Sequence, residues 1–282
     1  MSEKIVTFVG TGSMNGAIAS GLLESGFPAA NVRATVRSAE SAEKLTGRLG
    51  EYGSKVELFS SEKDSEANQK AVRGASVVLI GVKPYDMTEV LRSIAEDLDE
   101  DALVISVAAG VPLDTLQRAA GEGQPVIRCM PNTPARVGEG VLAISASSAV
   151  TAEHLERARE ILGAVGRVFE VEEKQMDAVT AVSGSGPAYA FLLAECMKKA
   201  GIELGLEEEL ATELAAATVA GAGALLKEDP NPEDLRKAVT SPGGTTAQAI
   251  EAFQSGGLEE LTLTAMRACA EKSAQMSADY AA

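Results

Sequence analysis

Apolar residues in the first half of the chain fall into short runs rich in valine and isoleucine. These runs are separated by stretches with helical spacing. "KIVTFVG" reads as a strand and "NGAIASGLLESG" as a helix. "NVRATVRS", "KVELF", "SVVLIGV", "ALVISVA" and "PVIRCM" are further strands, interleaved with the helical patterns "AESAEKLTGRLG", "NQKAVRGA", "YDMTEVLRSIAEDL" and "PLDTLQRAAG". "GVLAISAS" and "GRVFEV" are later strands flanking a helix in "TAEHLERAREIL". Strand–helix alternation with β-branched runs predicts a parallel, doubly wound sheet of Rossmann type. After Glu172 the strand signals stop. Helices are expected over Gln175–Leu204, Glu207–Leu226, Pro232–Val239, Gly244–Gln254 and Leu258–Ala278. The expected fold class is therefore α/β, with a sheet domain over 1–171 and an all-helical domain over 172–282. Helix Glu207–Leu226 has no polar face, so it is expected to be buried all round, against another subunit.

Charge and composition narrow the function. There are 25 basic and 41 acidic residues, a net charge of −16. Such a surface repels phosphate backbones and anionic lipid, so neither nucleic acid nor membrane is an expected partner. "LAAATVAGAGALL", bounded by Glu213 and Lys227, is too short as a run to span a bilayer. Cys129, Cys196 and Cys269 are far apart and odd in number, as in reduced cytosolic proteins. Met1 leads almost at once into a strand with no cleavage site, and a cytoplasmic location is expected. The single histidine, His154, has charged neighbours and is expected on an exposed helix face. Most histidine-based triads and multi-histidine metal centres are thereby excluded, and no metal is expected. Chemistry must come from a cofactor or from hydroxyls, amides and carboxylates.

"VGTGSMNGAIASG" carries the first candidate site. Gly10 allows a tight turn, and Gly12 lets backbone approach a diphosphate. The helix opening at Ser13 presents free amides to it. Thr11, Ser13, Met14 and Asn15 complete the loop. The third glycine of the usual fingerprint is replaced by Asn15, whose side chain is expected to turn to the cofactor or cap an amide. A plain strand–helix turn is the alternative, which the loop's place on the first strand of an alternating domain disfavours. The second strand ends without a carboxylate for the ribose hydroxyls. Thr35, Arg37 and Ser38 instead suit a 2′-phosphate, which favours NADPH over NADH. Glu40 lies near enough to claim Arg37 as an ordinary surface pair. Val82, Lys83 and Pro84 close the fourth strand, and Ala108, Ala109 and Gly110 the fifth. These are expected on the nicotinamide side, because ligands bind beyond the carboxyl ends of such strands.

Two segments of the second half are too specific for simple packing. "AVTAVSGSGPAYAF" interrupts a helix with paired glycines and a proline, exposing Ser183, Ser185 or backbone amides. "VTSPGGTTAQAI" ends in a helix N-terminus where Thr245 and Thr246 either cap the helix or bind a small carboxylate. Together with "VLIGVKP", "VAAGVPL" and "VIRCMPNTPARVGEG", these segments resemble pyrroline-5-carboxylate reductase across nearly the whole chain. The N-terminal motifs alone also fit related imine and hydroxyacid reductases.

The resemblance implies hydride transfer from NAD(P)H to the C=N carbon of 1-pyrroline-5-carboxylate, giving L-proline. It assigns Ser241, Gly243, Gly244, Thr245 and Thr246 to a substrate loop, with amides at Gly244–Thr246 on the carboxylate. The Thr246 hydroxyl, the catalytic group, falls on the ring nitrogen. Ser183, Ser185, Gly186 and Pro187 would line the same pocket, and Asn68 would touch the adenosine side. Glu173 and Ala238 match further cofactor positions. Asp229 stands where relatives often have a glutamate. A homodimer with interlocked helical domains is implied, and dimers can join in a ring.

Overall fold

The computed structural model describes residues 4–281. β1 (Val6–Val9) is wholly buried and is followed by α1 (Ser13–Glu24). β2 (Val32–Val36), α2 (Ala39–Arg48), β3 (Glu57–Ser60), α3 (Ala67–Val72) and β4 (Val77–Ile80) complete the first half of the winding. Then come α4 (Met87–Ile94), β5 (Leu103–Ser106), α5 (Leu113–Ala120) and β6 (Val126–Met130). β7 (Gly140–Ala146), α6 (Ala152–Gly163) and β8 (Gly166–Glu170) extend the sheet. All eight expected strands are present in one sheet, ordered β3-β2-β1-β4-β5-β6-β7-β8. Pairing is parallel except between β6 and β7, which run antiparallel.

β1, β4 and β5 are buried on both faces, which is why they read as unbroken apolar runs. One face packs Phe8 with Ile18, Leu22, Leu45 and Ile161. The other packs Val78 and Ile80 with Leu91, Ile94 and Leu116. Strand order reverses between β1 and β4, so a crevice opens at their carboxyl ends. Cys129 is buried in the sheet, and burial pushes its thiol pKa far up, so it is an inert apolar group.

His154 corrects the expectation of an exposed side chain: it is 2% exposed. It is the third residue of α6 and closes a capping box with Thr151. Nδ1 accepts the Thr151 amide at 3.1 Å, so Nε2 carries the proton donated to the Asp101 carboxylate at 3.1 Å. Of the charged neighbours that made it look solvated, Glu153, Glu156, Arg159 and Glu160 are exposed, whereas Arg157 lies beside it and shares the Asp101 carboxylate.

Beyond β8 the chain is helical: α7 (Met176–Val179), a π turn over Thr180–Gly184, α8 (Gly186–Glu203), α9 (Glu208–Glu228), α10 (Pro232–Ala238), α11 (Thr245–Ser255) and α12 (Leu258–Ala281). The chain packs as two compact units. One comprises Met1–Gly184 with Cys269–Ala282, and the other Ser185–Ala268. In the first, Ser273 Oγ donates to the Asp177 carboxylate at 2.7 Å, tying the end of α12 to α7. In the second, α8 and α9 form a helical pair whose close approach is made at Gly201 and Ala211. α9, expected to be buried against another subunit, is left largely uncovered by its own chain. Within the chain only Ala211 and Ala215 are buried, while Leu214 and Leu225 are about half exposed. At 21 residues it is long and apolar enough to cross a membrane by length and composition, although the uncharged run inside it is shorter.

Candidate active site

Gly10 has φ +71°, and a Cβ there would lie 2.5 Å from Val82 Cγ1. Glycine is required at this turn on both counts. Its amide is held by Thr35 Oγ1 at 3.0 Å, and the Thr11 amide and hydroxyl both donate to the Thr35 carbonyl. Gly12 is open: a Cβ would meet nothing nearer than the Gly81 carbonyl at 4.0 Å. Gly16 is the first amide to bond back into α1, to the Gly12 carbonyl. The amides of Ser13, Met14 and Asn15 therefore have no partner among the described residues. A turn without side chains, three free amides and a helix dipole fit a dinucleotide's phosphates.

Two members of this group do other work than expected. The Asn15 side chain turns away from the loop surface and is 1% exposed. Its Nδ2 donates to the carbonyls of Val9 at 3.1 Å, Leu79 at 3.2 Å and Gly10 at 3.4 Å. Thr35 is 3% exposed, and its hydroxyl is committed to the Gly10 amide, so it clamps the loop and does not face a 2′-phosphate. Ser38 caps α2 by accepting the Ser41 amide, and its hydroxyl meets that of Ser41 at 3.2 Å. Arg37 is exposed and makes no ion pair among the described residues, and Glu40 pairs with Lys44 instead. Sequence reasoning missed Arg48. Its Nη1 donates to the carbonyls of Gly12 at 3.1 Å and Ser13 at 3.2 Å, passing through space that a side chain on Gly16 would fill.

Val82, Lys83 and Pro84 follow β4 at the crevice, with Lys83 exposed. Asn68 lies in the first turn of α3, half-buried, its side chain without a partner among the described residues. Ala109 is half-buried and Ala108 buried. Gly110 corrects the expectation of a surface for a flat ring. It is buried, and a Cβ there would meet Met276 and Tyr280 of α12 at 3.3–3.5 Å. Glu173 is likewise taken by the fold: Oε1 accepts from Arg128 Nη1 at 2.6 Å and from the Leu113 amide at 3.0 Å. Arg128 is 4% exposed, so this pair neutralises a buried cation and fixes the start of α5 after the β5 loop.

The Ser-Gly-Ser-Gly-Pro interruption forms a π turn, not a simple kink. Ser183 Oγ donates to the Val179 carbonyl at 3.2 Å. The Ser183 carbonyl accepts from Asn132 Nδ2 at 3.1 Å, while Asn132 Oδ1 accepts the Val141 amide. Asn132, in the "CMPNTP" motif, thus pins the turn; only the motif's position hinted at it. Gly184 has no room for a side chain beside Met130. Helix α8 then restarts at Gly186, with Pro187 in its first turn after Ser185.

In the second unit, Ser241–Thr246 turns into α11. Gly243 has φ +70°, and a Cβ on Gly244 would meet Ser241 Oγ at 2.6 Å. The Gly244 amide is used up on the Ser241 carbonyl at 3.0 Å, which corrects its assignment to the carboxylate. Gln248 is the first amide to bond back into the helix, so those of Thr245, Thr246 and Ala247 are free. No side chain caps this end, leaving the Thr245 and Thr246 hydroxyls unengaged. The plain capping role is thereby set aside. Ala238 ends α10, and Asp229 Oδ1 accepts the Asn231 amide at 3.1 Å just after α9.

Residues 173–276 match a family model described as pyrroline-5-carboxylate reductase dimerisation. Residues 5–110 match one described as NADP oxidoreductase coenzyme F420-dependent. A pyrroline-5-carboxylate reductase from Pseudomonas aeruginosa is 41% identical over 98% of both chains. One from Corynebacterium melassecola is 38% identical over 96% of this chain and 98% of its own. The solved structure of the Coxiella burnetii enzyme covers 98% of this chain and 99% of its own, at 34% identity with a TM-score of 0.88. The Plasmodium falciparum pyrroline carboxylate reductase with NADP bound covers 98% of this chain and 99% of its own, at 28% identity with a TM-score of 0.81. The chain belongs to the pyrroline-5-carboxylate reductase family, oligomerising oxidoreductases that reduce the cyclic imine 1-pyrroline-5-carboxylate to proline with a nicotinamide cofactor.

Proposed function

We propose that this chain makes L-proline with NADPH in preference to NADH, and that the loop from Ser241 to Thr246 holds the substrate. The observation carrying this is the uncapped start of α11, where three amides and two threonine hydroxyls stand free. Amides of Thr245, Thr246 and Ala247 bind the ring carboxylate, and the Thr246 hydroxyl bonds the ring nitrogen. Ser241, Gly243 and Gly244 shape the turn; Ser183, Ser185, Gly186 and Pro187 line the pocket. When bound, the reduced nicotinamide supplies the hydride to the C=N carbon.

On the cofactor side, the free amides at Ser13 and Met14 receive the diphosphate, with Gly10, Thr11 and Gly12 keeping the approach clear. Arg37 and Ser38 take the 2′-phosphate. Asn68 meets the adenosine side, and Val82, Lys83, Pro84, Ala108 and Ala109 the nicotinamide side. The active form is a homodimer with interlocked helical domains, with rings of dimers as the larger assembly, and it works in the cytoplasm.

Imine-dependent loss of NADPH absorbance tests this reading. Thr246→Ala is expected to lower kcat/KM for the imine about 10- to 100-fold, the worth of one charge-assisted hydrogen bond, with NADPH binding unchanged. Full activity in that variant removes Thr246 from the mechanism. Preference for a cyclic imine lacking the carboxylate overturns the substrate assignment.

A further inference from the structure

In the usual diphosphate loop the third glycine lets the helix sit close to the sheet. Here that position is Asn15, and its carboxamide is buried between the ends of β1 and β4. The room comes from the facing strand. A Cβ on Gly81 would lie 2.6 Å from Asn15 Cγ and Nδ2, so no larger residue is compatible with the asparagine. The small residue has moved from the helix to the residue after β4.

Its placement has a use. Nδ2 spans carbonyls of two strands, Val9 and Leu79, and also reaches the Gly10 carbonyl. The Gly81 amide in turn donates to the Val9 carbonyl at 2.9 Å. These are the strands between which the crevice opens, and Gly10 already touches Val82 across it. Asn15 Oδ1 is buried without a partner. A buried acceptor left unsatisfied is rare and calls for an explanation beyond packing.

We infer that Asn15 and Gly81 form one interlocking pair that sets the spacing between the diphosphate loop and the Val82–Lys83–Pro84 segment, making Asn15 a positioning residue for the cofactor. This rests on the reading that residues 10–14 carry the diphosphate. The Asn15 side chain does not itself touch the cofactor. It acts through the Gly10 carbonyl, and so through the direction of the loop amides.

The test is a double-mutant cycle on the full-length enzyme: Asn15→Gly, Gly81→Ala and the two combined, with KM for NADPH, KM for the imine, kcat and Tm measured for each. Asn15→Gly, which removes atoms and adds no clash, is expected to raise KM for NADPH about 5- to 10-fold, the order of one net hydrogen bond, with kcat and the imine KM within about two-fold. Gly81→Ala alone is expected to lose cofactor affinity further or fail to fold. The combined variant is expected to return to the Asn15→Gly values. Independent, multiplying effects overturn the interlock, as does an Asn15→Gly enzyme with lowered Tm and unchanged KM for NADPH. Gly12→Val serves as the control for the loop itself, since its side chain would stand in the phosphate path. An unchanged KM for NADPH there overturns the loop reading and this inference together. A raised one, with no coupling between positions 15 and 81, overturns this inference alone.

Discussion

Arg37 is free of the carboxylate that could have claimed it, since Glu40 is held by Lys44. A guanidinium beyond β2 with no partner is available to a dianionic phosphate, which it binds through charge-assisted hydrogen bonds. Arg37→Ala is therefore expected to raise KM for NADPH about 10- to 100-fold and that for NADH less than about two-fold. Steady-state kinetics with both cofactors checks this; equal changes would show that Arg37 does not read the 2′-phosphate. Residue types were legible in the sequence, but their partners were not. The loop glycines were read from backbone need alone, and the structure supplies that need at Gly10. Thr35 and Asn15 carry hydrogen-bonding groups that could face either ligand or backbone, and burial decides for the backbone, whereas half-buried Glu173 is claimed by the Arg128 side chain and the Leu113 amide. Gly110 shows the same limit for a small residue: a helix from the far end of the chain lies on it.

At the scale of elements, period carried nearly everything. Unbroken apolar runs gave the strands and 3.6-residue spacing gave the helices. The π turn was legible only as an interruption, because glycines and proline break a helix in several ways and the pinning contact comes from Asn132. His154 was misplaced because its neighbours in sequence are charged, while its own burial depends on the third position of a capped helix. That position makes a prediction. His154→Ala removes the acceptor for the Thr151 amide and the bond to Asp101, and it empties a buried site. Stability is expected to fall by about 1–3 kcal/mol, from a lost cap and a partial cavity. Urea denaturation measures it, and KM for NADPH should not move.

For the whole molecule, the family model over residues 173–276 is one of dimerisation, and the exposed leucines of α8 and α9 suit that role. The apolar pattern of α9 was legible, and with it the expectation of a second subunit, but a single sequence does not state where that copy sits. Leu214 is about half exposed in the chain, so Leu214→Glu costs the isolated fold little, whereas in the proposed dimer it places a charge in the subunit interface. The variant is expected to run at a smaller molecular mass by light scattering, and an unchanged mass would remove Leu214 from the interface. Covered by a second copy in the proposed dimer, the bare face of α9 makes the enzyme's durability a collective property. A surface finished only by a neighbour ties stability to protein concentration through mass action. Dilution then acts as a mild denaturant: Tm should climb with concentration, and each newly made chain is at its most vulnerable before it meets another.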